Sequence, residues 1–237
     1  YASSHNLPSA GFMIWTGWSL VALFVSTLLH ECGHLIAGWI SDLRLMTFAV
    51  GPFHVDVIDG RRRFSFQPST VFAGGHCGMI PSSSYNVPSR TMFFIFGGPV
   101  GSLFAGIAGT LLFLSAAGTP WQGAWPFFQT MMVWGWVDAF LNLVPIKTET
   151  AYSDGARLRQ CSRPGWADQL MARSMAALSL QSSLRPRDWN VALMERAAAF
   201  DNGSNERVPM LLLAHEMYMD RNDRAAADRC MRTAVGL

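Results

Sequence analysis

The sequence predicts a mostly α-helical, polytopic membrane protein with a three-helix transmembrane core, a cytoplasmic β-hairpin loop and a helical cytoplasmic C-terminal region. Hydrophobic residues make up 50% of the 237 residues and charged residues only 14%, whereas soluble globular chains average about 25% charged residues. The 18 Lys and Arg side chains are absent from two long windows, residues 1–43 and 91–146. Three apolar segments fall in these windows, and each is long enough to cross a bilayer, which takes about 20 residues.

The three segments are predicted to span the membrane over residues 12–40, 91–117 and 126–146. A short, uncharged connection that contains two tryptophans, residues 118–125, joins the last two segments, as expected at a membrane surface. All basic residues lie in the loop 41–90 or in the chain that follows the third segment, and basic residues favour the cytoplasmic side. We therefore expect the N-terminus outside and both the loop and the C-terminal region in the cytoplasm.

The loop 41–90 has the pattern of β-strands. Apolar and polar residues alternate on both sides of Asp59-Gly60 in the stretch FHVDVIDGRRRFSF. An Asp-Gly pair between alternating runs is a strong signal for a hairpin. Turn-forming residues follow, and they predict irregular backbone: Gly74, Gly75, Gly78 and Pro81.

Two regions are predicted along the chain. Residues 1–156 form the transmembrane core, and residues 157–237 form a cytoplasmic helical region. In the second region, apolar residues at helical spacing predict two helices with a break near Asn222-Asp223. This helix pair resembles one tetratricopeptide unit.

Other kinds of site have little support. The four cysteines are scattered without CxxC spacing, so they predict neither a disulfide framework nor a cysteine zinc site. His54 and His76 are isolated histidines in the loop and are not expected to bind metal. The sequence has no pattern of arginines and aromatic residues that would predict a nucleic-acid partner.

The first apolar segment contains His30-Glu31-Cys32-Gly33-His34, an H-E-x-x-H sequence. Positions i and i+4 share one face of a helix, so both imidazoles can bind one zinc ion while Glu31 lies beside the water on the metal. An ionised group at the centre of a membrane helix costs about 2.5–3.5 kcal/mol. Because of that cost, we interpret these residues as functional rather than as a chance match.

A catalytic zinc usually has three protein ligands and one open position. The third segment ends in LNLVPIKTETAYSDGARL, where Asp154 supplies an oxygen donor and Gly155 lets the backbone fold back toward the metal. Glu149 is near in sequence but has no glycine after it. Asp138 has three possible interpretations from the sequence. It is a rival metal ligand, a partner that supports the site, or a buried carboxylate satisfied by a helix contact.

With these residues in view, the chain resembles the site-2 protease family of intramembrane zinc metalloproteases. The matching stretches are HECGH at 30–34, Gly97-Gly98-Pro99, and NLVP…SDG at 142–155. AGGHCGM at 73–79 also resembles the membrane-associated β-element of the family. The resemblance covers residues 12–155, which include all three predicted spans. The sequence departs from the family pattern at Ser102, where GPxxN would have asparagine, and in a longer gap before Asp154.

The resemblance implies that His30, His34 and Asp154 bind Zn²⁺ and that Glu31 is the general base. It also implies that Asn142 steadies the substrate backbone or the developing oxyanion. The expected partners are the lipid bilayer and a membrane-protein substrate that is cut within its transmembrane segment, with release of a regulatory factor into the cytoplasm. A regulatory protein is expected on the cytoplasmic tail.

Two alternatives remain open at this point. One is a catalytically silent, zinc-binding membrane adaptor or sensor that recruits a partner through its helical tail. The other is a metallopeptidase that acts on soluble or membrane-surface peptides.

Overall fold

A computed structural model describes residues 10–58, 60–71, 73–83, 85–148, 152–180, 183–201 and 206–236. The chain is mostly helical, with one small antiparallel sheet, so the predicted mostly α class is confirmed. The elements follow in the order α1 (Ala10–Ile40), β1 (Leu43–Val50), β2 (Phe53–Ile58), β3 (Arg61–Phe66), β4 (Gly75–Pro81), α2 (Val87–Ser115), α3 (Trp125–Leu141), α4 (Asp154–Cys161), α5 (Pro164–Ser179), α6 (Val191–Ala199), α7 (Arg207–Asp220) and α8 (Arg224–Val235).

Two helices in the described part of the chain are long and apolar enough to cross a membrane, Gly11–Ile40 and Val87–Ser115. They correspond to the first two predicted spans. The third predicted span, 126–146, is a helix only as far as Leu141 and has 17 residues. At about 1.5 Å per residue this helix is about 26 Å long, slightly less than the hydrocarbon thickness of about 30 Å. Three membrane crossings therefore remain a prediction.

Glycines allow the three long helices to pack closely. A Cβ atom on Gly33 of α1 would collide with the carbonyl oxygen of Gly97 in α2. A Cβ atom on Gly135 of α3 would collide with the backbone of Gly106 in α2. Small residues at such crossings let helix backbones approach each other, as is common between membrane helices. The rotation of each helix about its axis is thereby fixed, together with the side chains that it turns toward its neighbours.

The loop 41–90 folds into a four-stranded antiparallel sheet with strand order β3-β2-β1-β4. Strands β2 and β3 pair from Phe53↔Phe66 to Ile58↔Arg61, which confirms the predicted hairpin. Gly60 has a φ of +71°, a conformation that favours glycine, while Asp59 lies outside the described residues. The sheet is larger than the single hairpin predicted from the sequence.

The prediction of irregular backbone near Gly75, Gly78 and Pro81 is wrong, because these residues belong to strand β4. Its backbone pairs with β1 from Leu43↔Pro81 to Val50↔Gly75. Glycine weakens a strand by its own propensity, but here the adjacent edge of β1 supplies the hydrogen bonds. Strand β4 also packs against α1, α2 and α5.

The C-terminal helices share a hydrophobic core of their own. Its buried members come from α5, α6 and α7 and from the turn before α6, and they include Ala172, Trp189, Met194, Met210 and Met217. The predicted break at Asn222-Asp223 is confirmed, since α7 ends at Asp220 and α8 begins at Arg224. The Asp223 side chain caps α8 by accepting the Ala226 N–H. The predicted boundary between residues 156 and 157 falls inside α4, and the division into two regions stays a prediction.

Candidate metal centre

Helix α1 brings the three polar residues of the H-E-x-x-H sequence into the interior. His30, Glu31 and His34 are only 6–7% exposed. The Nε2 atoms of His30 and His34 lie 3.1 Å apart, as expected for positions i and i+4 on one helix face. Both imidazoles therefore point toward the same small volume.

Asp154, the first residue of α4, completes this group. Its Oδ2 lies 3.3 Å from Nε2 of His30, and its Oδ1 lies 3.5 Å from Nε2 of His34. The ligand atoms of these three residues all lie within 4.8 Å of one another. Of the proposed third ligands, Asp154 is the one that reaches both Nε2 atoms, whereas Glu149 lies outside the described residues.

The start of α4 explains how Asp154 reaches the site. Ser153 is the N-cap of α4, and its hydroxyl accepts the Ala156 N–H and donates to the Val144 carbonyl. The Gly155 N–H donates to the carbonyl oxygen of Asn142 at 2.7 Å. A Cβ atom on Gly155 would collide with the carbonyl oxygen of Leu143, so only glycine lets the start of α4 approach the end of α3 this closely. These bonds fold the chain back to the end of α3.

The Nδ1 atoms of the two histidines face hydrogen-bond partners on the other helices. Nδ1 of His30 lies 2.7 Å from the Ser102 hydroxyl and 3.0 Å from a carboxylate oxygen of Asp138. Nδ1 of His34 lies 3.0 Å from the carbonyl oxygen of Phe94. Acceptors at Nδ1 hold the proton there and leave the lone pair on Nε2. The Gly98 N–H also lies 3.2 Å from Nδ1 of His34, so a cation at Nε2 would decide the tautomer of this ring.

These donor atoms fit a zinc ion. Two Nε2 lone pairs and a carboxylate converge, and zinc is bound in proteins by His nitrogen and Asp or Glu oxygen. Oδ2 of Asp154 is buried without a hydrogen-bond partner, although a cation would satisfy it. A Cβ atom on Gly98 would lie 2.6 Å from Nε2 of His30 and closer still to Nε2 of His34. Glycine at position 98 therefore keeps the space beside both nitrogens open.

Glu31 lines the same cavity, which has a volume of about 740 Å³. Its carboxylate packs against Gly75 of β4, where a Cβ atom would lie 2.5 Å from Oε1 of Glu31. Strand β4 also contributes His76 and Cys77 to the wall of the cavity. Burial, with a smaller effect from the Glu31 charge, raises the pKa of the Cys77 thiol to about 12. Among the described residues, Cys77 does not belong to the group whose donor atoms converge, which consists of His30, His34 and Asp154.

Asp138 lies beside Nδ1 of His30, away from the proposed metal position at Nε2, and Asn142 is bonded to Asp138. The Asn142 side-chain amide donates a hydrogen bond to Oδ1 of Asp138 at 2.9 Å, while Oδ2 of Asp138 faces Nδ1 of His30. Both residues line the cavity, but Asp138 does not reach the Nε2 atoms. His54, in β2, forms a hydrogen bond with Thr70 in the turn between β3 and β4. Among the described residues, it does not belong to the metal group.

Two residues that support the site, Ser102 and Ser153, are not predicted from the sequence. In the sequence, Ser102 is only a departure from a family pattern, yet it is 1% exposed and contacts His30. Its signal was a hydroxyl one turn after Pro99 in an apolar helix. Ser153 could have been found as a helix N-cap, because serine before an acidic first residue is typical of a helix start.

Comparison with known proteins supports this interpretation of the first two helices. The sequence model of peptidase family M50 matches residues 18–121. The match includes His30, Glu31, His34 and Ser102, and it ends before Asp154. No curated protein and no solved structure matches the chain. Members of family M50 are zinc metalloproteases and integral membrane proteins. The resemblance to the site-2 protease family is therefore confirmed over residues 18–121, the part of the chain that carries the pattern of peptidase family M50.

Proposed function

We propose that this protein is an intramembrane zinc endopeptidase that hydrolyses a peptide bond in the transmembrane segment of another membrane protein. One observation carries the proposal: two Nε2 atoms and the Asp154 carboxylate converge beside Glu31 in a cavity. This cavity is lined in part by α1, the more apolar of the two candidate membrane helices. The family match over α1 and α2 supports the same chemistry. His30, His34 and Asp154 would hold the metal.

When bound, zinc polarises the scissile carbonyl and makes a water molecule acidic enough to attack at neutral pH. Glu31 takes the proton of the attacking water and then delivers it to the leaving amine. Glu31 is only 6% exposed, which limits the exchange of this proton with bulk water. Asn142 is proposed to hold the substrate backbone or the developing oxyanion with its remaining amide hydrogen, because one hydrogen is bonded to Asp138.

Strand β4 is the part of the sheet best placed to receive the substrate. It is an edge strand in the order β3-β2-β1-β4, and Gly75 touches Glu31. A helical substrate must unwind before its peptide bonds can be attacked, and an edge strand offers backbone hydrogen bonds to an extended segment. The hairpin tip at Gly60 belongs to β2 and β3, which lie farther from the site in the strand order.

The membrane arrangement and the partners are part of the proposal. Helices α1, α2 and α3 cross the bilayer, with the N-terminus outside and the C-terminal region in the cytoplasm. Cleavage releases a regulatory factor on the cytoplasmic side. The region 157–237, with its tetratricopeptide-like pair α7 and α8, binds a regulatory protein. The alternative of a catalytically silent zinc-binding adaptor gains no support, because metal binding alone does not require a buried Glu31 next to the site.

The experiment compares the native protein with Glu31→Gln and measures zinc content and cleavage of a panel of transmembrane peptides. Glu31→Gln should keep its zinc and lose cleavage, since the proposed ligands are unchanged. The matched control is Glu216→Gln, which alters an exposed glutamate on α7 and should change neither measurement. Near-native cleavage by Glu31→Gln would refute the mechanism.

A further inference from the structure

The side of His30 that faces away from the candidate metal is held by a carboxylate. Nδ1 of His30 lies 3.0 Å from Oδ2 of Asp138 in α3. The Ser102 hydroxyl, in α2, lies 2.7 Å from the same Nδ1 and donates a hydrogen bond to Asp138. All three long helices therefore meet at one ring nitrogen of His30.

The two histidines differ in this respect. Nδ1 of His34 faces a neutral backbone carbonyl, that of Phe94, at 3.0 Å. Nδ1 of His30 instead faces a carboxylate whose side chain is only 24% exposed. A carboxylate that accepts the Nδ1 proton fixes the tautomer and orientation of an imidazole and makes its other nitrogen a stronger ligand. The carboxylate of Asp138 therefore orients the His30 ring and strengthens its Nε2 as a ligand more than the carbonyl of Phe94 does for His34.

Asp138 is itself held in place. Its second oxygen, Oδ1, accepts a hydrogen bond from the Asn142 amide at 2.9 Å, one helical turn along α3. The two oxygens are thus assigned to different partners, and rotation of the carboxylate would break both contacts. The oxygen aimed at His30 cannot also reach the position between the two Nε2 atoms, which lies on the opposite side of the ring.

We propose that Asp138 is a positioning residue for His30, with Ser102 as the bridge between them. The carboxylate keeps the proton of His30 on Nδ1 and turns Nε2 toward the metal, and it raises the affinity of this site for zinc. The inference rests on the zinc site of the proposed function, but it does not depend on proteolysis. It also assigns a role to the serine at position 102.

The test measures zinc affinity of the full-length protein in detergent by competition with a chelator, and the visible spectrum of the Co²⁺-substituted protein. Asp138→Asn should weaken zinc binding about 10–100-fold and shift the cobalt spectrum, because the His30 ring loses its anionic partner. Asp138→Glu keeps a carboxylate and should restore part of the affinity. Thr130→Val is the matched control, since it removes an interhelical hydrogen bond of α3 to Ser19 and leaves His30 untouched.

Ser102→Ala gives a second test if Asp138→Asn does not fold. It removes the bridge but keeps the carboxylate, so zinc affinity should fall by less than about 10-fold, below the usual loss of a full supporting partner, with a smaller spectral shift. Native affinity and an unchanged cobalt spectrum in folded Asp138→Asn would overturn the proposal. Complete loss of zinc in Asp138→Asn, with zinc retained in Asp154→Ala, would also overturn it and make Asp138 a ligand. Both readouts stand whether or not the protein cleaves peptides.

Discussion

Gly98 of α2 lies so close to the imidazole of His34 that any side chain at position 98 would run into Nε2. The same absent Cβ would lie 2.6 Å from Nε2 of His30. Position 98 therefore borders the volume that the two histidines and Asp154 share. The Gly-Gly-Pro sequence in α2 combines two tasks, since Gly97 allows the helices to approach and Gly98 leaves room for an ion.

Gly98→Ala should abolish stoichiometric zinc binding, because the new methyl group would occupy the space beside both nitrogens. The measurement is zinc content after purification, together with thermal unfolding to show that the protein remains folded. Gly17→Ala is the control, since nothing lies within 4 Å of a Cβ at that position of α1. It should keep its zinc, and zinc content near that of the native protein in Gly98→Ala would contradict the proposed metal position.

Gly75→Ala should reduce turnover without loss of zinc. A methyl group at position 75 would lie 2.5 Å from both Cγ and Oε1 of Glu31, so the carboxylate would have to move. General bases contribute about 10²–10⁴-fold to catalysis, and we expect kcat to fall by at least about 10-fold. Zinc content and kcat are measured on the same preparation. A native kcat would show that the backbone of β4 moves to relieve the clash and that Glu31 keeps its position.

The sequence predicts the parts of this site that depend on local geometry. Helical periodicity alone places His30 and His34 on one face of α1, and the Asp-Gly signal predicts the hairpin between β2 and β3. Strand β4 was missed because Gly75 and Gly78 form a strand only beside β1, which is distant in sequence. Local signals do not contain that pairing.

Contacts between helices were equally hidden. The partnership of Ser102 with His30 depends on how far α2 is rotated about its axis, which the packing of Gly33 on Gly97 decides. The role of Asp138 stayed open for the same reason. The proximity of Asp154 could be expected from the glycine after it, but the N-cap and loop bonds that place it there required the structure.

Truncation after Ser162 should leave zinc binding intact. The proposed ligands and the hydrogen-bond partners described for them all precede residue 163, including Ser153, the N-cap of α4. The deletion also removes α5 to α8 together, so it does not divide their shared core. The measurement is zinc content of the truncated protein, with its elution from size exclusion as the check of folding.

A truncation after Ser179 serves as the contrast. It retains α5 but exposes Ala172 by removing Met194 and Met210, so this protein should aggregate or unfold at lower temperature. If the protein truncated after Ser162 remained folded but lost its zinc, the C-terminal helices would be shown to complete the site. Because α5 lines the cavity, cleavage of long substrates should fall even where zinc remains.

Asp154 should be the third zinc ligand, and replacement of this residue tests the proposed metal site directly. Asp154→Ala should lower zinc occupancy markedly and eliminate cleavage, because the carboxylate is the oxygen donor that reaches both Nε2 atoms. Glu149→Ala, which changes a carboxylate five residues earlier, should alter neither property. Metal analysis and peptide cleavage are carried out side by side on both variants.

Ser153→Ala adds a graded case, since the N-cap loses its bonds to Val144 and Ala156 while the Asp154 carboxylate stays. Loss of an N-cap costs about 0.5–2 kcal/mol, so zinc occupancy should fall less than in Asp154→Ala. If Asp154→Ala kept its zinc while Asp138→Ala lost it, the ligand would lie on α3, and the convergence of Asp154 with the two histidines would have another cause.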